Sequence, residues 1–237
     1  AQGFVFSGRK LYFCPYDSAF PPCPFIAHQL MQIQEIARAL ENFAPLPLQE
    51  DYDNAGLQIG ITGNECSGAL LCLDVTEAVI EEASRLGFNL IVAHHPLLFR
   101  GVKCVSDRTQ VQRCIRLAVQ HDIAIYAAHT NLDNARGGVN FEIAQRLGLE
   151  HLDWLAPLAG QDAGSGLIGE LPQPIAATTW LETLKKTFGV EALLYAPGPK
   201  TEVRRIALCG GAGEFLIDRA VQLGADLFLT GEIGYHH

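Results

Sequence analysis

The chain has 237 residues, 49% hydrophobic and 18% charged, enough for one large or two modest domains with a buried core. Its 17 basic against 26 acidic residues leave a net charge of −9, which argues against a general nucleic-acid or anionic-membrane binder but not against a small anionic substrate, since a metal ion can reverse the local field. No apolar stretch approaches the roughly 20 residues of a membrane span, and the seven scattered cysteines (Cys14, Cys23, Cys66, Cys72, Cys104, Cys114 and Cys209) form no C-x-x-C pair, which fits a reducing, cytoplasmic setting better than a disulfide framework or a zinc knuckle.

Residues 1–30 carry Pro15, Pro21, Pro22 and Pro24 and no sustained periodicity, and they lack the basic start and apolar core of a signal peptide. Met31 is the only methionine, and an amphipathic helix follows it, with Ile33, Ile36, Ala37, Leu40 and Phe43 on one face. Residues 1–30 are therefore read as lying upstream of the natural start, with a genuine extension as the alternative. Pro45 and Pro47 end the helix. In Asp53-Asn54-Ala55-Gly56 the Asn and Gly supply turn chemistry; the carboxylates there are either solvated or support a site from behind, and the residues alone favour the solvated turn.

Ser67 to Val75 reads as a strand, and Thr76 as the cap of a helix through Val79, Ile80 and Ala83 that Gly87 stops. Phe88 to Ala93 is a second strand, and it ends in His94-His95-Pro96. Two adjacent histidines inside a strand would point to opposite faces; at a strand end the backbone turns and both imidazoles can converge. Pro96, with no N–H for a ladder, fits that place. A helix marked by Val111, Ile115, Leu117 and Ala118 leads to a third strand, Ile123 to Ala128, which runs into His129-Thr130-Asn131-Leu132-Asp133-Asn134. The strand–helix–strand order predicts a parallel sheet, whose carboxyl ends share one edge. Metal-ligand residue types at two such ends place His94, His95, His129 and Asp133 within reach of one another. Imidazole and carboxylate suit zinc, iron(II) or manganese. Asp133 can bridge two ions, and His129 can be a ligand or a proton carrier; the plainer alternatives are a hydrogen-bonded strand-end histidine and a helix cap or turn.

Gly137-Gly138 leads into a helix with Phe141, Ala144 and Leu147, closed by Gly148. Trp154 to Pro157 is a short apolar piece, Gly164 to Leu171 a strand, and Thr179, Leu181, Leu184 and Phe188 mark a helix ended by Gly189. Glu191 to Ala196 and Val203 to Cys209 read as strands, and Gly210-Gly211-Ala212-Gly213 as the opening of a helix with Phe215, Ile217, Ala220 and Val221. That glycine run can present N–H groups to phosphate, but it matches neither a P-loop nor a dinucleotide fingerprint, and a tight turn explains it equally well. Asp226 to Thr230 is the last strand. The two halves share a strand, helix, strand order, which predicts an α/β fold of two pseudo-symmetric lobes, residues 31–134 and 135–237, around a metal cleft, with mixed or largely parallel sheets.

These segments resemble the GTP cyclohydrolase I type 2 homolog family, also called dinuclear metal centre hexameric proteins or the NGG-one-interacting-factor-three-like family. The matching stretches are Asp53 to Gly60, Leu73 to Thr76, Ala93 to Pro96, His129 to Asp133, Gly210 to Gly213, and Leu229 to Glu232 with Tyr235-His236, in order from Met31 to the end. The short interval between Leu149 and Val203 resembles the two-lobed form without an inserted domain. The resemblance implies that His94, His95 and Asp133 are metal ligands, with Asp133 bridging two divalent ions (zinc, iron or manganese), and that His129 lines the site as the catalytic acid or base. It implies a homohexamer. The family's remaining His and Glu ligands follow the Tyr-His motif, beyond the last residue here, so Glu232 and His236 match only the motif before them and the chain is expected to be truncated. Two classes of function follow: a hydrolase of a nucleotide-like or phosphorylated small molecule, and a non-catalytic metal-binding ring or interaction protein. A metal-free nucleotide-binding module using the 210–213 glycines is a third.

Overall fold

The apolar runs near residues 70, 91 and 125 become neighbouring parallel strands because a helix returns the chain to the same end after each. The computed structural model describes residues 31–198 and 200–234, and residues 5–7 and 10–13 as backbone. The rest of the 1–30 extension lies outside the described residues, as do Tyr235 and His236. The chain divides into two compact units, residues 1–131 and 132–237. Among the described residues no helix is long and apolar enough to cross a membrane.

In the first unit the strands are β1 (Val5–Ser7), β2 (Lys10–Phe13), β3 (Gly56–Ile59), β4 (Ala69–Cys72), β5 (Leu90–Ala93) and β6 (Ala124–Ala127), in the sheet order β1-β2-β4-β5-β6-β3. Strands β4, β5 and β6 are parallel, with Cys72, Ala93 and Ala127 in register at their carboxyl ends. β3 pairs antiparallel with β6, and β2 antiparallel with β4. After α1 (Ile33–Phe43), helices α2 (Glu77–Leu86) and α3 (Gln110–Gln120) make the two crossovers. Val79, Ile80 and Ala83 of α2 and Cys114 and Ala118 of α3 pack with Leu70, Ile91 and Ile125 in one core. Their ends are set locally. Thr76 and Thr109 accept hydrogen bonds from the third residue on, Val79 and Gln112, and Gly87 closes α2 in the left-handed conformation at φ 71°.

The second unit is a four-stranded sheet in the order β10-β9-β8-β7, made of β7 (Glu150–Pro157), β8 (Gly164–Ala176), β9 (Glu202–Ala212) and β10 (Leu227–Glu232). β7, β8 and β9 run antiparallel, and β10 joins β9 in parallel. α5 (Val139–Arg146) and α6 (Ala177–Phe188) lie before and after the β7–β8 pair. Ala144, Trp180 and Leu184 pack with Leu167, Ile206 and Leu208, while Ala207 and Cys209 of β9 pack with Leu216 and with Ala220 of α7 (Ile217–Gln222). Alternate β9 residues thus enter different cores, which is why Ile206 to Cys209 is a continuous apolar run.

The structure confirms an α/β fold with mixed sheets and a strand, helix, parallel-strand order in each unit. It differs from the sequence reading at particular places. Glu191 to Ala196 is not a strand: it is irregular, with Leu194 and Tyr195 exposed. The segment lies between Gly189, left-handed at φ 63°, and Pro197, and it pairs with no strand of the sheet; an apolar run without a partner edge makes no strand. β8 runs five residues past Leu171, with a register shift between Glu170 and Ile175 that accommodates Pro172 and Pro174. The 210–213 glycines do not open a helix. β9 continues to Ala212, and a 3-10 turn at Glu214–Leu216 precedes α7. A Cβ on Gly213 would stand 2.5 Å from the Cβ of Cys209, so this glycine serves close packing.

Gly60 is a sharper case. It follows β3 at φ +115°, and a Cβ there would lie 2.5 Å from the Cα of Ala124. Gly60→Ala is expected to lower the unfolding free energy by about 2–4 kcal/mol, because backbone strain and overpacking act together. Gly63, where an added Cβ would meet nothing within 4 Å, provides the control. Gly63→Ala should stay within about 0.5 kcal/mol of the parent in urea denaturation.

Candidate metal centre

His94 and His95 follow β5 directly, and their backbone N–H groups still donate to the chain leaving β4, His94 to Cys72 O at 3.0 Å and His95 to Leu73 O at 2.9 Å. On the other side Ala128 N–H donates to Ala93 O at 2.8 Å, which carries His129 to the same edge. The ring centroids lie 5.0 Å (His94–His95), 5.2 Å (His94–His129) and 5.7 Å (His95–His129) apart. One ring nitrogen from each lies within 4.8 Å of the others.

Every one of these rings has its Nδ1 engaged by an oxygen. His94 Nδ1 is 2.8 Å from Ala128 O, His95 Nδ1 2.8 Å from Asp74 Oδ1, and His129 Nδ1 2.8 Å from Asp53 Oδ1. A carbonyl or carboxylate oxygen only accepts, so the proton sits on Nδ1 and Nε2 keeps its lone pair. Oxygen partners behind imidazoles are the usual support of metal-binding histidines. Burial pushes the His94 imidazole below its ordinary value of 6.5, and its two histidine neighbours act in the same direction. The ring is therefore neutral near pH 7, the form that binds a cation. Imidazole nitrogens gathered in so small a space fit a divalent transition ion.

Asp53 corrects the sequence reading of its turn as solvated. Its side chain is 0% exposed. The carboxylate accepts from His129 Nδ1, from the Thr130 N–H at 3.0 Å, from the Thr130 hydroxyl and from the Asn54 N–H at 2.7 Å. Burial alone would raise its pKa; the hydrogen bonds from Thr130, His129 and Asn54 outweigh it and hold the carboxyl below its ordinary value of 3.8. Asp74 has no role legible in the sequence, and it orients His95 in the same way. Nothing in the local pattern ties Asp53 to a histidine 76 residues away. Beside His95 lies a cavity of about 350 Å³ lined by Asp74, Thr76, Leu97, Gln110 and Val111 among others.

The structure thus brings His94, His95 and His129 together. Asp133 ends the short helix α4 (Thr130–Asp133) and itself belongs to the second unit, where its carbonyl accepts from Asn140 Nδ2 at 3.0 Å. Glu232 is the exposed last residue of β10, and His236 is outside the described residues.

The family model for Duf34/NIF3 (NGG1p interacting factor 3) matches residues 31–237. A Clostridium perfringens protein named GTP cyclohydrolase 1 type 2 homolog is 36% identical over 209 residues, covering 87% of this chain and 79% of its own. Among solved structures, a Bacillus cereus protein related to NIF3 superposes with a TM-score of 0.81 at 26% identity, over 88% of this chain and 84% of its own. A Staphylococcus aureus hypothetical protein does so with a TM-score of 0.81 at 29% identity, over 87% and 80%.

Asp53→Asn is expected to cost the metal-free protein about 1.5–3 kcal/mol at neutral pH, the range for hydrogen bonds to a charged group. A carboxyl whose folded pKa is depressed stabilises above its unfolded value, and that stabilisation is lost as pH falls through the folded value. The gap between parent and variant should therefore be full at pH 7 and shrink below about pH 4. Denaturation series at several pH values check this.

Proposed function

This chain belongs to the Duf34/NIF3 family, and from that premise we propose that it is a metal-dependent hydrolase of a nucleotide-like or phosphorylated small molecule. The observation that carries the reading is the cluster of three imidazoles, each with its Nδ1 held by an oxygen. In this reading His94, His95 and Asp133 would hold the two divalent ions, Asp133 on the strength of the resemblance and of its sequence position four residues after His129. A divalent ion supplies positive charge that polarises the attacked bond and acidifies water. The relatives' name, GTP cyclohydrolase 1 type 2 homolog, supports a nucleotide-like substrate.

The chain's own groups divide the remaining work. His129 moves the proton, accepting it at Nε2, because Asp53 occupies Nδ1. Asp53, held ionised, stabilises the imidazolium that forms. His95, half exposed, faces the cavity by which a small molecule reaches the cluster. Assembly as a homohexamer is proposed on the resemblance alone and a cytoplasmic setting on the scattered cysteines, and native mass spectrometry tests the oligomer.

His94→Ala and Asp133→Ala are expected to lower metal content, measured by plasma mass spectrometry after reconstitution with zinc, iron(II) and manganese. His129→Ala should keep the metal and lose turnover by about 10²–10⁴-fold, the range for a removed general acid or base. GTP and simple phosphoesters are the substrates to test. Unchanged metal in both ligand variants would overturn the metal reading. Full metal with no turnover on any substrate would favour the non-catalytic ring.

A further inference from the structure

A pair of exposed aromatic rings stands beside the histidine cluster. Phe99 keeps 42% of its surface open and Tyr52 65%. Their ring centroids are 6.3 Å apart at 65°, and Phe99 meets His129 at 6.3 Å and 88°. Neither neighbour stacks parallel on Phe99. Single exposed apolar residues are ordinary. Here two large rings from separate segments meet at the rim of a polar site, where covering their open faces removes apolar surface from water.

The backbone beside the rings is also held in place. Leu98, next to Phe99, is gripped from both sides: its carbonyl accepts from Asn54 Nδ2 at 2.7 Å, and its N–H donates to Gln58 Oε1 at 2.9 Å. Gln58 Nε2 in turn donates to Asn54 O at 2.7 Å. The turn that contains Tyr52 and Asn54 also contains Asp53, which orients His129. One short segment therefore sets the position of an imidazole and of both aromatic rings. A rigid, open aromatic surface beside a reactive centre is suited to stacking a flat π-system, an interaction tolerant of ring type.

We propose that Phe99, buttressed by Tyr52, is the specificity-determining platform of this site and binds a planar heteroaromatic ring of the substrate, so that the substrate class is a small molecule carrying a nucleobase-like ring. The proposal rests on the histidine cluster being the reactive centre. Phe99 is a positioning residue for the ring, and His129 lies one ring away.

The test compares guanosine 5′-monophosphate with ribose 5-phosphate, which share sugar and phosphate and differ in the base. Binding is measured by isothermal titration calorimetry on the full chain, zinc-loaded and chelator-treated, with the metal content of each sample recorded. The base should tighten binding about tenfold or more, the order expected of one base–aromatic stack. Phe99→Ala should abolish that preference without changing metal content, and Phe99→Trp should retain it; circular dichroism verifies that both variants fold. Equal affinity for the two probes, binding of neither, or a preference that survives Phe99→Ala overturns the proposal. A base preference in protein that takes up no metal would keep the platform and refute the metal reading. Metal-loaded protein without a preference would do the reverse.

Discussion

The site depends on one constraint: every imidazole in it gives its Nδ1 proton to an oxygen held by another part of the chain. Ala128 O, Asp74 and Asp53 supply those oxygens. Without them each ring could rotate and either nitrogen could carry the proton. With them the tautomer is set and three lone pairs remain in a small volume. The rest of the first unit makes this possible. Parallel register brings the ends of β5 and β6 level, the two crossover helices press that sheet from one core, and Gly60 lets the chain leaving β3 pass close to Ala124.

Much of this is legible in the sequence because it follows from local rules. His94, His95 and His129 each end an apolar run, and parallel strands must bring such ends to one edge. Thr76 and Gly87 bracket α2 with residue types whose capping chemistry is local. The carboxylates behind the rings are not legible in the same way. Asp53 lies in a segment whose composition signals a turn, and the turn is there; what makes it more than a turn is Thr130 and His129 closing on it from a distant segment. Strand β3 is hidden by the same turn residues, since it begins at Gly56.

The second unit shows the opposite failure. Glu191 to Ala196 has the apolar run of a buried strand and none of its pairing, while β7 begins four residues before the apolar piece that signals it. Strand formation is decided by whether an edge is available, and no property of the segment alone reports that. The glycines at 210–213 carry the same lesson: in isolation they read as a turn opening a helix, yet Gly210 and Gly211 lie within β9 and Gly213 sits against Cys209.

The 76-residue separation of Asp53 and His129 also sets an order of events. A contact so distant in the chain forms only after the loop between its ends has closed, a step that costs entropy before it returns any stabilisation. The intervening chain includes β4, α2, β5 and α3, so the imidazole is oriented only once the whole parallel sheet of the first unit is in place. A cluster assembled in this way would take up a metal only once the first unit is finished, rather than serve as a nucleus around which that unit folds.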